Sequence, residues 1–233
     1  MERTFADKII EFNRTLSYDG SLPEGFRVIN PYLDNPETLS VMQRFYRKYY
    51  SDTRPRRFIL GINPGRYGAA VTGVPFTDTK RLANSCGIRM ESASSHEISS
   101  VFIYEMIDAY GGPARFYQAF YIHSLFPLAI IRQTKEGKWV NANYYDDPSL
   151  LKMTEDFSLS SLKKQISFGL DTSEVFILGR KNARYIEKIN QKTRLFDRLT
   201  VLDHPRYVQQ YKSKEKPLYI AKYLEALTYS SRS

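Results

Sequence analysis

Two side chains of this sequence stand where chemistry could be done. Asn63 lies in Gly61-Ile62-Asn63-Pro64-Gly65, and His204 lies in Asp203-His204-Pro205-Arg206. An amide can hold a water molecule in one orientation, and an imidazole can stabilise a developing negative charge near neutral pH. Phe76 closes a second rigid turn, Thr72-Gly73-Val74-Pro75-Phe76, and offers a ring against which a flat polar ligand could stack. An amide, an imidazole and a stacking ring suit a reaction in which water attacks and an anion departs. Hydrolysis of a base–sugar bond fits, because the departing base carries charge on an oxygen that a hydrogen-bond donor can stabilise.

These residues need elements to hold them. Phe58-Ile59-Leu60, preceded by Arg56 and Arg57, reads as a buried strand, and Pro64 ends it because it cannot donate to a sheet. Asn63 then sits on a turn at the carboxyl end of a strand, the edge at which open α/β sheets bind ligands. Further strands are expected at 116–122, ending at His123-Ser124, at 175–178, and at 199–202, ending just before His204. Helices are expected over 2–17, 36–50 (with Leu39, Met42, Phe45 and Tyr49 on one face), 79–86 (capped within Thr77-Asp78-Thr79), 96–110, 159–170, 180–190 and 217–228. Residues 24–35 read as irregular and 132–148 as a polar, partly basic loop. Strands alternating with helices imply an α/β fold. We expect one domain over 1–233, a three-layer α/β/α sandwich on a central four-stranded parallel sheet, with residues 1–50 a helical segment packed on it. Right-handed crossovers place Asn63, Ser124 and His204 on one edge of that sheet.

Lys and Arg number 34 against 25 Asp and Glu, a net charge of +9, which favours a polyanionic partner such as nucleic acid. The single cysteine, Cys86, excludes intrachain disulfides and multi-cysteine metal sites. No phosphate-binding loop, dinucleotide fingerprint, Ser/His/Asp order or metal-ligand spacing is present, and the stretch around Asn63 has no carboxylate before Asp78. No metal site is therefore expected. No signal peptide or long apolar run stands out, so a cytoplasmic protein without membrane contact is expected. His96 and His123 read as structural.

The residues that carry this argument resemble a known family. GINPGRYGAAVTGVPF at 61–76 resembles the first motif of the uracil-DNA glycosylase superfamily, nearest to its single-strand-selective monofunctional branch, whose motif runs G-M-N-P-G-P-F-G-M-A-Q-T-G-V-P-F. His204-Pro205 resembles the second motif, H-P-S-P-R. Residues 121–128, YIHSLFPL, resemble the branch's V-H-N-x-C-P-L, and with Leu178-Gly179-Arg180 the likeness spans about 55–225. The resemblance implies a monofunctional DNA glycosylase of base-excision repair, working as a monomer and needing no metal or cofactor, that extrudes the base from the stack. It implies that Asn63 positions the attacking water and that His204 stabilises the leaving base. Phe76 would stack on that base, and Ile62, Gly65 and Tyr67 would line its site.

The sequence departs from the branch at three points. Ser124 stands where the branch has the asparagine that reads the uracil edge by two hydrogen bonds, which predicts broader base choice: 5-substituted uracils, or a deaminated purine such as xanthine. The second motif is shortened, leaving Arg206, Tyr207 and the neighbouring Gln209 and Gln210 as candidates for the wedge or for phosphate contact. Tyr67 replaces a phenylalanine and Ala69 a methionine. The loop residues Arg132, Lys135 and Lys138 are candidate phosphate contacts. The alternatives are a non-catalytic nucleic-acid-binding protein that retains the fold, with Ser124 a lost recognition residue, and a different α/β enzyme that binds a free nucleobase or nucleotide.

Overall fold

The computed structural model describes residues 2–228. In chain order the elements are α1 (Phe5–Thr15), β1 (Phe26–Ile29), α2 (Pro31–Asp34), α3 (Pro36–Tyr49), β2 (Arg56–Gly61), α4 (Ala69–Thr72), α5 (Thr79–Cys86), α6 (Ile98–Tyr110), α7 (Pro113–Ala119), β3 (Phe120–Ser124), β4 (Ala129–Gln133), β5 (Trp139–Ala142), α8 (Pro148–Ile166), β6 (Leu170–Leu178), α9 (Arg180–Thr193), β7 (Arg198–Leu202), α10 (Pro205–Tyr211) and α11 (Lys216–Thr228). The fold is the expected α/β one. A four-stranded sheet in the order β3-β2-β6-β7, parallel throughout, is flanked by helices. Phe58, Ile59 and Leu60 of β2 and Val175 to Leu178 of β6 are buried, as strands covered on both faces must be. Because all four strands run the same way, β2, β3 and β7 end on one edge. Gly61 pairs with Ser124 and Leu178 with Leu202, so Asn63 and His204 emerge on that edge together.

Several elements differ from the sequence reading. Arg56 and Arg57 do not precede the strand but begin it. Arg56 is fully buried yet paired: Nε donates to the Tyr117 carbonyl at 3.0 Å, and the terminal nitrogens reach Asp52 at 2.8 and 3.1 Å. A guanidinium can start a central strand when a carboxylate and backbone carbonyls accept from it in this way. The aromatic run 116–122 is divided. Pro113 at the first helical position after Gly112 launches α7, and the strand begins only at Phe120. A short apolar run fits either element, and here Phe116 and Tyr117 are buried from a helix.

The larger correction is a second sheet. Residues 24–35 and 132–148 are not merely irregular: β1, β4 and β5 form an antiparallel sheet. Thr134 to Lys138 turn the β4–β5 hairpin, with the Thr134 amide donating to the Lys138 carbonyl at 2.7 Å and Gly137 at φ +78°. The helix expected at 159–170 starts at Pro148, because the Asp147 carboxylate caps the Ser149 and Leu150 amides. On α3 the buried face is Val41, Met42, Phe45 and Tyr46, while Leu39 and Tyr49 are only half-buried.

Candidate active site

β2 ends at Gly61 for a steric reason. A Cβ there would lie 3.0 Å from the Phe76 ring and 3.3 Å from the His123 carbonyl oxygen. The bare backbone lets Phe76 pack flat against the strand end. Phe76 holds that place at φ +52°, a conformation that costs a bulky residue on the order of 1–3 kcal/mol and concentrates at functional sites. Its ring centroid lies 6.2 Å from that of His204, at 52°.

Past the strand, the Asn63 amide is clamped by the hairpin. Nδ2 donates to the Ala142 carbonyl at 3.0 Å and to the Pro64 carbonyl at 3.3 Å, while Oδ1 accepts the Tyr144 amide at 3.2 Å. Both donors are used, so Asn63 has one lone pair of Oδ1 left to offer. The same loop is tied again through Arg66. Its amide donates to Asn141 Oδ1 at 3.1 Å and its guanidinium to the Trp139 carbonyl at 2.5 Å. The β4–β5 hairpin therefore fixes the orientation of the turn.

His204 is the N-cap of α10. Its Nδ1 accepts the Arg206 amide at 3.2 Å, so the ring proton sits on Nε2. Burial first, then the charge of Arg206, lowers its pKa to about 4, so the imidazole is neutral at physiological pH. The preceding Asp203 carbonyl is held by the Tyr223 hydroxyl. Gly179, at φ +95°, passes close by, and a Cβ there would lie 3.4 Å from the His204 Cβ.

These groups share one cavity of about 460 Å³. Ile62, Asn63, Pro64, Gly65 and Phe76 form one wall. His204, Arg206, Tyr207, Gln210 and Tyr211 form another, and Asn141 to Asn143, Tyr145, Gly179 to Lys181, Glu97 and Ser99 complete it. The size suits a nucleoside-sized ligand. Tyr67 borders an adjoining cavity of about 350 Å³ with Gly65, Glu97 and Arg206, its ring 4.5 Å from the Arg66 guanidinium. The largely apolar cleft beside α8 and α9, lined by Leu151, Ser158, Tyr185 and Ile189, carries none of the residues singled out for chemistry.

The structure thus brings together Asn63, His204, Ile62, Gly65, Phe76, Arg206, Tyr207 and Gln210. Ser124 ends β3 opposite Gly61 and is buried, but it does not line the cavity. Arg132, Lys135 and Lys138 are exposed, at the end of the hairpin away from Ala142. His123 is buried with neither ring nitrogen bonded, its pKa lowered to about 4 by burial. His96 is exposed beside Asp78 at 3.4 Å. Asp78 is fully occupied as a cap, accepting from the Arg81 and Glu97 amides and the Ser100 hydroxyl. Among the described residues no group of three or more His, Cys, Asp or Glu is placed to hold a metal ion, and no helix is long and apolar enough to cross a membrane.

Sequence reasoning missed Glu97, Asn141 and Asn143 on the cavity wall. The run Asn141-Ala142-Asn143 was a visible polar signal, whereas nothing near Glu97 in the sequence points to the cavity.

Comparison with known proteins agrees with the geometry. The profile of the uracil DNA glycosylase superfamily matches residues 47–228. No curated protein matches. Among solved structures, the crystal structure of wild-type SMUG2 from Pedobacter heparinus is similar, with 46% identity, a TM-score of 0.94 and coverage of 97% of each chain.

Proposed function

Because the chain belongs to the uracil DNA glycosylase superfamily and is a hydrolase of N-glycosyl bonds of that type, we propose that Asn63 and His204 carry the reaction, with uracil in DNA as substrate. The observation that carries this reading is one cavity walled by an amide with a single lone pair to spare, a neutral imidazole with its proton on Nε2, and a ring beside both. Oδ1 of Asn63 accepts a hydrogen bond from the attacking water and turns its oxygen toward the sugar carbon; once the C–O bond forms, the proton the water gives up passes to the departed base or to bulk water. As the glycosidic bond breaks, the electron pair moves onto the base, and Nε2–H of His204 donates to the carbonyl oxygen that gains charge. A neutral donor, already oriented by the Arg206 amide, needs no reorganisation at that moment. Phe76 stacks on the base, which reaches the cavity only when extruded from the helix.

Base choice is read more finely from the residues. The cavity leaves room beyond uracil, and Ser124 is not on its wall, so 5-substituted uracils and xanthine belong to the proposed range. Arg206, Tyr207 and Gln210, exposed on the cavity wall, are the proposed residues for filling the emptied stack or holding phosphate, and Arg132, Lys135 and Lys138 for meeting the backbone further along. Action as a monomer in the cytoplasm, with the chain as one domain, completes the reading; a stable dimer in light scattering would remove the first of these.

The test is alkali-revealed cleavage of labelled oligonucleotides carrying uracil, 5-hydroxymethyluracil or xanthine, single- and double-stranded, with Asn63→Ala beside the parent. Excision by the parent alone supports the assignment. Equal excision by Asn63→Ala refutes the role of Asn63, and excision of uracil alone refutes the broader range.

A further inference from the structure

Glu97 occupies the N-cap position of α6 and borders both adjoining cavities. Its carboxyl lies directly against the turn that follows Asn63. A Cβ at Gly68 would come 2.1 Å from Oε2, and one at Gly65 would come 2.8 Å from Oε1. Two glycines leave the space that the carboxyl fills. Oε2 is wholly buried and has no hydrogen-bond partner. Buried polar atoms without partners are rare in native structures, and each calls for an explanation.

The neighbouring charges do not supply a partner. Arg206 on α10 acts on the carboxyl through space but forms no ion pair with it. Arg81 on α5 and the ring of His96 turn instead to Asp78, at 3.1 and 3.4 Å. Asp78 itself accepts the Glu97 amide at 2.9 Å and places a second negative charge nearby. Arg66, on the turn, is committed to the Trp139 carbonyl. Burial first and Asp78 second, against Arg206, push the Glu97 carboxyl up to about 8. It is therefore mostly protonated at neutral pH.

A protonated carboxyl presents a hydroxyl donor beside a carbonyl acceptor, the same pattern as a primary amide. That pattern complements a lactam edge, an N–H next to a C=O, which uracil and xanthine share. Ser124, at the position where the resemblance implies an edge-reading asparagine, does not line the cavity.

We propose that Glu97 is the specificity-determining residue that reads the lactam edge of the extruded base, its cavity-side Oε1 donating to the base carbonyl oxygen while Oε2 stays buried against Gly68. The inference rests on the glycosylase reading above. A carboxylate can only accept, so ionised Glu97 cannot make the pair. Recognition is therefore complete below the ionisation of Glu97 and is lost as pH rises through it. Glutamine has the same shape and the same donor–acceptor pattern, and it does not ionise.

The experiment is single-turnover excision from a uracil oligonucleotide between about pH 6 and about pH 9 by the parent, Glu97→Gln and Glu97→Ala, with thermal melting of each. At neutral pH Glu97→Ala should excise roughly 10- to 100-fold more slowly than the parent, the consequence of leaving a base edge unpaired in a closed site. Glu97→Gln should recover most of that loss. The parent rate should fall above about pH 8 while the Glu97→Gln rate stays level. Neither variant should melt lower than the parent at neutral pH, because each removes a carboxyl that burial holds protonated and that bonds to nothing in the free protein. Equal rates for the parent and Glu97→Ala would overturn the inference, as would equal losses in both variants or an alkaline fall shared by parent and Glu97→Gln. If the parent releases no base at any pH, it is the glycosylase reading that fails.

Discussion

His204 has two jobs that one pair of substitutions can separate. Its Nδ1 caps α10 by accepting the Arg206 amide at 3.2 Å, and its Nε2–H faces chemistry. Alanine removes both functions. Asparagine is among the best N-cap residues, so His204→Asn keeps an acceptor for the Arg206 amide while its short side chain withdraws the donor from the cavity. Loss of a preorganised donor to a developing anion costs about 100- to 1,000-fold in rate. Loss of an N-cap costs about 0.5–2 kcal/mol, which in a protein of this size lowers the melting temperature by roughly 2–4 °C per kcal/mol. Both variants should therefore excise uracil about 100- to 1,000-fold more slowly in single turnover. Only His204→Ala should also melt measurably lower than the parent. A His204→Asn enzyme with near-parent turnover would refute the donor role. A His204→Ala protein as stable as the parent would refute the cap.

Asn63→Ala should lose at least about 100-fold in excision while holding uracil DNA as tightly as before, because the amide positions water rather than phosphate; a matching fall in affinity measured by fluorescence anisotropy would contradict that. Gly61→Ala places a Cβ 3.0 Å from the Phe76 ring and should cost roughly tenfold in excision, read by single-turnover kinetics; full activity would show that the ring can yield without consequence. His123 and His204 both have pKa values lowered to about 4 in the folded chain, against 6.5 unfolded. Only the unfolded chain then takes up these protons as pH falls from 6.5 to 4, and Glu97, pushed up to about 8, offsets part of the loss, so stability should show a net fall across that window of on the order of a few kcal/mol. A urea midpoint that stays level there would argue against histidines held neutral in the fold. DNA affinity should fall steeply with salt, and replacing Arg132, Lys135 and Lys138 by alanine should reduce the log–log slope by about 2–3. An unchanged slope would remove that hairpin end from the interface.

The amino-acid sequence by itself pointed to the pair proposed to carry the reaction. Asn63 and His204 follow apolar runs that end in Gly- and Pro-bearing turns, and such signals act over a few residues. The parallel sheet and its shared edge followed from the alternation of those runs with helical spacing. What the sequence left open depends on partners distant along the chain. The β4–β5 hairpin was unreadable as structure because its strands are short and polar on one side, yet it clamps Asn63 through Tyr144, 81 residues away. Arg56 looked like a polar flank until Asp52 and the Tyr117 carbonyl gave its guanidinium a buried place in the strand. The tautomer of His204 follows from one backbone amide at the start of α10. Glu97 gives no local sign of its role. Its neutrality comes from tertiary burial against Gly65 and Gly68 and from the nearness of Asp78, and a carboxyl's protonation is decided by its surroundings, not by its place in the sequence.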